Sequence, residues 1–261
     1  MSVIDLNLNN ITGTEALTVG EHISLLSKEL SLKIDKLNAK MFNKSIHTVD
    51  GKKTVQEMTN RNNYFSVSFK HIASPVFFNP GAGDFKTYVE TIARLGGMVG
   101  LVTTQAEDVY RQLKKVAASG IVPHSLRNSD GLSVISAGIE QMELLMKGSG
   151  PQTRPVSDFY PNWQAMDLIY QDFNRKVVLI KSRDVEVLAK QADQIVGIAQ
   201  VLKRKIDNSE ITISPEDFSV LNEIIRMLDV NMKAVGQALI MLGELTGILE
   251  THTKQLPELQ V

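Results

Sequence analysis

Apolar residues recur at alternating spacings of three and four over three long stretches of this chain. The cleanest run is Phe218, Leu221, Ile225, Leu228, Met232, Val235, Leu239, Leu242, Thr246 and Leu249, in which only Thr246 is polar. A second run, Tyr88, Ile92, Leu95, Val99, Val102, Ala106, Val109, Leu113 and Val116, has no polar member. Such spacing lays one narrow apolar stripe along a helix, and a stripe of that kind seals against another helix. The pattern therefore predicts a mainly α fold, an elongated bundle of long amphipathic helices with coiled-coil-like seams.

Helix boundaries follow from the punctuation around the stripes. Ser214 has N-cap chemistry, Pro215 suits the first helical position, and Glu216 and Asp217 set negative charge at the positive end of the helix dipole. From Phe218 to Leu249 the stripe implies a rod of about 48 Å at about 1.5 Å per residue, ended by Pro257. Asp84 can cap a helix that runs to Ser119, with Gly120 beyond it as a natural C-terminal stop. Two further helices are expected over residues 19–42 and from Ser129 or Asp130 to Gly148. After Asn162, Trp163, Met166, Tyr170, Phe173, Val177 and Ile180 line a third stretch. It skips to Leu188 and continues through Ala192, Ile195, Ala199, Leu202 and Ile206. One bent helix across Ser182-Arg183-Asp184 is the favoured expectation, two helices the other.

The period changes near the N-terminus. Ile4, Leu6 and Leu8 alternate with polar neighbours, which suggests a short strand on an Asn-rich arm. Residues 46–49 and 52–55 flank Asp50-Gly51 as a hairpin would, with a competing helix that starts at Thr54. Phe65, Val67 and Phe69 alternate with Ser66, Ser68 and Lys70 and read as a strand. Residues 43–83 thus form the least helical part, a small β patch beside the bundle. The Gly- and Pro-rich residues 148–161 are the best linker or hinge. This divides the chain into residues 1–147 (arm, helices and β patch), the linker 148–161, and a long-helix hairpin over 162–261.

Chemistry is harder to find. His22, His47, His71, His124 and His252 show no three- or four-residue spacing, and HExxH is absent. Each reads as a solvent-facing or singly hydrogen-bonded side chain. Gly81-Ala82-Gly83-Asp84 lacks the spacing of a phosphate loop, and Asp84 would repel an anion. The paired carboxylates (Asp167 and Asp172, Asp184 and Glu186, Glu216 and Asp217) sit among polar neighbours or at helix starts and read as caps or solvated faces. Cysteine is absent, so thiol catalysis and disulfides are excluded. A net charge of -1 gives no field for nucleic acid, and Lys203-Arg204-Lys205 is a single compact basic run. Neither a catalytic residue nor a cofactor is expected.

Glycines inside predicted helices are more informative, because each costs up to about 1 kcal/mol relative to alanine. Gly96, Gly97, Gly100, Gly243 and Gly247, with spacings that allow close backbone approach, mark helix-packing or interface candidates together with Leu239. Ile4, Leu6 and Leu8 are candidates for a partner-binding arm that adds a strand to another sheet. The function expected is a non-enzymatic structural or assembly protein, of the kind built into phage virions, in homo- or hetero-oligomeric contact with protein partners. Nothing favours nucleic acid. The alternative is a translocated or membrane-active helical protein, for which the Gly-rich residues 95–102 are the supporting feature. The N-terminus shows no basic-apolar signal pattern and the uncharged apolar-rich run 95–106 is far short of the roughly 20 residues a spanning helix needs, so synthesis in the cytoplasm is expected, with later incorporation into a virion or other large assembly.

Overall fold

The computed structural model describes residues 46–127 and 150–259. The arm with Ile4, Leu6 and Leu8, the helix expected over 19–42 and the one expected after Ser129 lie outside these residues. Within them the chain is mainly α, with one two-stranded sheet. In chain order the elements are α1 (Lys52–Arg61), α2 (Tyr64–Ser68), β1 (His71–Ala73), α3 (Phe85–Gly97), α4 (Val99–Ser119), α5 (His124–Arg127), β2 (Thr153–Pro155), α6 (Val156–Phe159), α7 (Trp163–Val177), α8 (Ser182–Asp207) and α9 (Pro215–Glu258).

Capping sets the starts of the main helices. Asp84, Asn162 and Ser214 each sit in extended backbone and accept a bond from the N–H three residues on, at Thr87, Ala165 and Asp217. Gly120 ends α4 in the left-handed region at φ 71°. All nine members of the stripe from Tyr88 to Val116 are buried. The helix that carries them breaks at Met98, just after Gly96-Gly97, and changes partner there: α3 packs on α9 and α7, α4 chiefly on α8. The α4–α8 pair is parallel. Thr103 Oγ1 donates to the Asp184 carbonyl near both starts (3.2 Å), and Lys205 Nζ donates to the Ala117 carbonyl near both ends (2.9 Å).

The central element is α9, 44 residues and about 66 Å long at about 1.5 Å per residue. Every stripe position from Leu221 to Leu249 is buried, and Thr246, its polar member, is satisfied by donating Oγ1 to the Leu242 carbonyl at 2.8 Å. Burial is not confined to the stripe. Ile224, Ala234, Ala238, Met241 and Leu245 are also buried, so α9 is covered on several faces, as a core helix is. It contacts α1, α3, α4, α5 and β1. Pro257 does not stop it; the helix runs one residue further, to Glu258.

Three local expectations are corrected. Asp50-Gly51 forms no hairpin: Gly51 has φ −89° and precedes α1, which begins two residues before Thr54. Its missing side chain serves close packing instead, since a Cβ there would lie 2.7 Å from Tyr170 Cε1. Phe65, Val67 and Phe69 belong to or border helix α2, which turns Val67 inward and leaves both phenylalanines in water; over five residues the two periods cannot be told apart. Finally, α7 and α8 are two helices. An eight-residue skip from Ile180 to Leu188 overshoots two whole turns by about 80° at about 3.6 residues per turn, so an unbroken helix would shift its stripe there; the chain instead leaves the helix after Val177 and resumes it at Ser182.

The small sheet is real but assembled differently. β1 pairs antiparallel with β2, His71 opposite Pro155 and Ala73 opposite Thr153. Its second strand comes from the stretch read as a linker. Residues 150–161 also supply α6, whose Val156 and Phe159, with Tyr160 just beyond, are fully buried.

Candidate functional site

Two features stand out from the packing: a polar bolt inside the aromatic core, and apolar side chains left outside it. The bolt is built on α9. Glu244 Oε1 accepts from the Val76 N–H (2.9 Å), Gln255 Oε1 accepts from the Ala73 N–H (3.1 Å), and His252 Nε2 lies 2.7 Å from the Ala73 carbonyl oxygen. Three side chains of one helix thus satisfy the backbone of β1 and the residues after it on the edge that β2 does not cover.

His252 is fully buried. A carbonyl only accepts, so Nε2 carries the ring hydrogen and Nδ1 is bare. The Tyr160 hydroxyl, 2.7 Å from Nδ1, therefore donates to it. The Tyr170 hydroxyl donates to the Leu249 carbonyl at 2.8 Å, and Tyr64 donates to the Tyr160 carbonyl at 2.5 Å. Phe159, Tyr160 and Phe85 surround the imidazole at ring-centroid distances of 5.0, 5.7 and 6.4 Å. Burial among these rings pushes the His252 pKa down to about 4, only partly opposed by the bond to Ala73, so the ring is neutral at pH 7. Burial raises the Tyr160 and Tyr170 hydroxyls in turn, and both stay protonated donors. A neutral, hydrogen-bonded set of this kind positions backbone.

Sequence reasoning assigned His252 to a solvent-facing or singly bonded class; the structure makes it buried and doubly bonded. The signal was present: His252 follows Leu249 by three residues and precedes Leu256 by four, which continues the buried face. His47, 2.7 Å from Glu250 Oε1 and exposed, fits the class as expected. Among the described residues no group of three or more His, Cys, Asp or Glu side chains could hold a metal.

The packing candidates are distributed unevenly. Gly96 is buried where α3 crosses α9, and a Cβ there would collide with Leu242 Cδ1 and lie 3.6 Å from Ile180 Cδ1. A Cβ at Gly100 would lie 3.6 Å from Asp184 Oδ2, whereas Gly97 and Gly247 are exposed and a Cβ there would meet nothing within 4 Å. Leu239 and Gly243 are buried on α9.

Outside the core, Phe65 and Phe69 on and beside α2 are 81% and 67% exposed and stack edge to face at 5.6 Å. Val178 and Leu179, adjacent in the α7–α8 connection, are 68% and 69% exposed, and Leu101 at the start of α4 is 46% exposed. Half of residues 95–102 is inward: Leu95, Gly96, Val99 and Val102 are buried. By length and composition α9 could cross a membrane, yet 67% of its most apolar window is buried within the fold. Comparison with family models, curated proteins and solved structures gives no match.

Proposed function

We propose that the protein is a non-enzymatic structural or assembly component that works through contacts with other protein chains in a larger complex, a virion being one such setting. The observation that carries this reading is the exposure of large apolar side chains in groups, Phe65 with Phe69 and Val178 with Leu179. Apolar groups clustered at a surface mark interaction sites more often than single ones do. Burying one such side chain against a partner is worth about 1.5–3 kcal/mol, a favourable contribution toward the cost of association. The partner-binding arm, Ile4, Leu6 and Leu8, is the second proposed contact, by strand addition.

The test is solution mass by light scattering, alone and with proteins from the native source. One chain weighs 28.9 kDa, and the reading expects a larger species. Combined Phe65→Ser and Phe69→Ser, or Val178→Ser and Leu179→Ser, should return it toward a single chain without lowering the melting temperature. A single chain under every condition, with no partner retained, refutes the proposal. The competing membrane-active reading expects leakage from anionic vesicles at mildly acid pH.

A further inference from the structure

We infer that His252 is an acid-operated latch: when its Nδ1 takes up a proton, residues 71–78 with β2 and α6 come away from α9 while α4 and α8 keep their packing. The inference stands on how β1 is held. Among the described residues its one strand neighbour is β2. Its other edge is fastened by side chains of α9, and of these, among the described residues, His252 ties both β1, through Ala73, and the residue after α6, through Tyr160.

The proton comes from solvent and occupies the lone pair that now accepts from Tyr160. The Tyr160 hydroxyl then has to turn and accept, passing its own hydrogen toward Tyr170, whose hydroxyl already donates to Leu249. Only the Tyr160 hydroxyl has to turn, since Tyr170 goes on donating to the Leu249 carbonyl; the charge is what has no counter-charge. From β1 the ring meets the Ala73 carbonyl, from α3 Phe85, from α6 and the residue after it Phe159 and Tyr160, and from α7 the Tyr170 hydroxyl beyond Tyr160. Tyr88 on α3 stacks on Phe85. The carboxylates near these elements are engaged elsewhere: Glu244 with the Val76 N–H, Glu250 with His47, Asp158 with Arg154. His71 on β1 is exposed.

An imidazolium in this cage is stabilised by leaving it. Opening hydrates the ring and restores its ordinary affinity near 6.5 from about 4. The ratio of open to closed forms therefore rises by up to about 300-fold as pH falls through that window.

The chain carries its own reporter. Trp163, the one tryptophan, packs edge-on to Tyr64 at 5.1 Å, and Tyr64 donates to the Tyr160 carbonyl. Emission of Trp163 should be followed with ellipticity at 222 nm in the full chain from pH 8 to pH 4. A reversible red shift centred between about 4 and 6.5, with most ellipticity retained, is expected. His252→Gln should remove that transition. Tyr160→Phe should move it to higher pH, because the neutral ring loses its donor; this variant and the imidazole proton resonances of the native chain decide the matter if the Gln variant does not fold. Trp163 emission that stays constant while the His252 ring titrates overturns the inference. So does an unchanged transition in a folded Gln variant, or loss of ellipticity in step with Trp163.

Discussion

Gly96 and Gly247 are both helical glycines, and the structure assigns alanine opposite effects at the two positions. At Gly247, on the exposed side of α9, nothing lies within 4 Å of an added Cβ. Alanine there gains helix propensity alone, so Gly247→Ala should stabilise by up to about 1 kcal/mol. At Gly96 the same gain is opposed by a collision with the Leu242 side chain. Leu242 is fully buried, so its methyl has no free volume to enter, and Ile180 closes the site from the other side. Overpacking of a filled core costs about 1–3 kcal/mol. Gly96→Ala should thus come out about 0–2 kcal/mol less stable than the parent after the propensity gain of about 1 kcal/mol is subtracted. At about 2–4 °C per kcal/mol for a chain near this size, Gly247→Ala should melt above the parent and Gly96→Ala at or below it. Urea unfolding of Gly96→Ala, Leu242→Ala and the double variant isolates the contact. Leu242→Ala alone should cost about 2–5 kcal/mol, and less in the Gly96→Ala background, because the new methyl fills part of the cavity. Equal stabilisation by Gly96→Ala and Gly247→Ala, with additive effects in the double variant, would show that α3 and α9 do not meet at this glycine.

The long helices were legible because their signals repeat. Ser214, Asp84 and Asn162 cap where their chemistry predicts, and the stripes from Leu221 and from Tyr88 are buried at each position. What the stripes do not encode is which helix answers which. The stripe of α8 finds α4 in parallel, a pairing set by the break at Met98 and the turn over residues 178–181. Short segments were misread for a different reason. Five residues such as Tyr64–Ser68 hold too few apolar positions to separate a period of 2 from one of 3.6. Pro and Gly in residues 150–161 carry loop signals, yet Phe159 and Tyr160 are core side chains, and a linker reading gives such aromatics no place. The bonds of His252 were legible only in part: its spacing from Leu249 and Leu256 marks a buried face, but its partners, the Ala73 carbonyl and the Tyr160 hydroxyl, lie far away in the sequence and no local motif records them. Gly51 carries a similar lesson, since an Asp-Gly pair looks the same whether the glycine is needed for a turn or for room against Tyr170.

Two further outcomes test the core. Leu239 is 1% exposed, so Leu239→Asp buries a charge in the α9 packing and should cost more than about 3 kcal/mol; an unchanged melting temperature would place that side chain in water. Stability should also depend on pH through His252. Its pKa is lowered from 6.5 to about 4 on folding, so the unfolded chain binds the proton more tightly. The contribution is therefore whole above pH 6.5 and is lost as pH falls through 4. A difference of 2.5 units at about 1.4 kcal/mol each amounts to about 3 kcal/mol between pH 8 and pH 4. Asp84 acts in the same direction at lower pH, since the Thr87 N–H holds its carboxylate below the usual 3.8, but its exposure leaves it a small part. Urea unfolding at pH 8, 6 and 4.5, on the native chain and on His252→Gln, separates the two: the fall above pH 4.5 should vanish in the variant, whose side chain has no proton to gain. A fall of equal size in both would assign acid sensitivity to groups other than the buried imidazole, and with it the opening of β1 from α9.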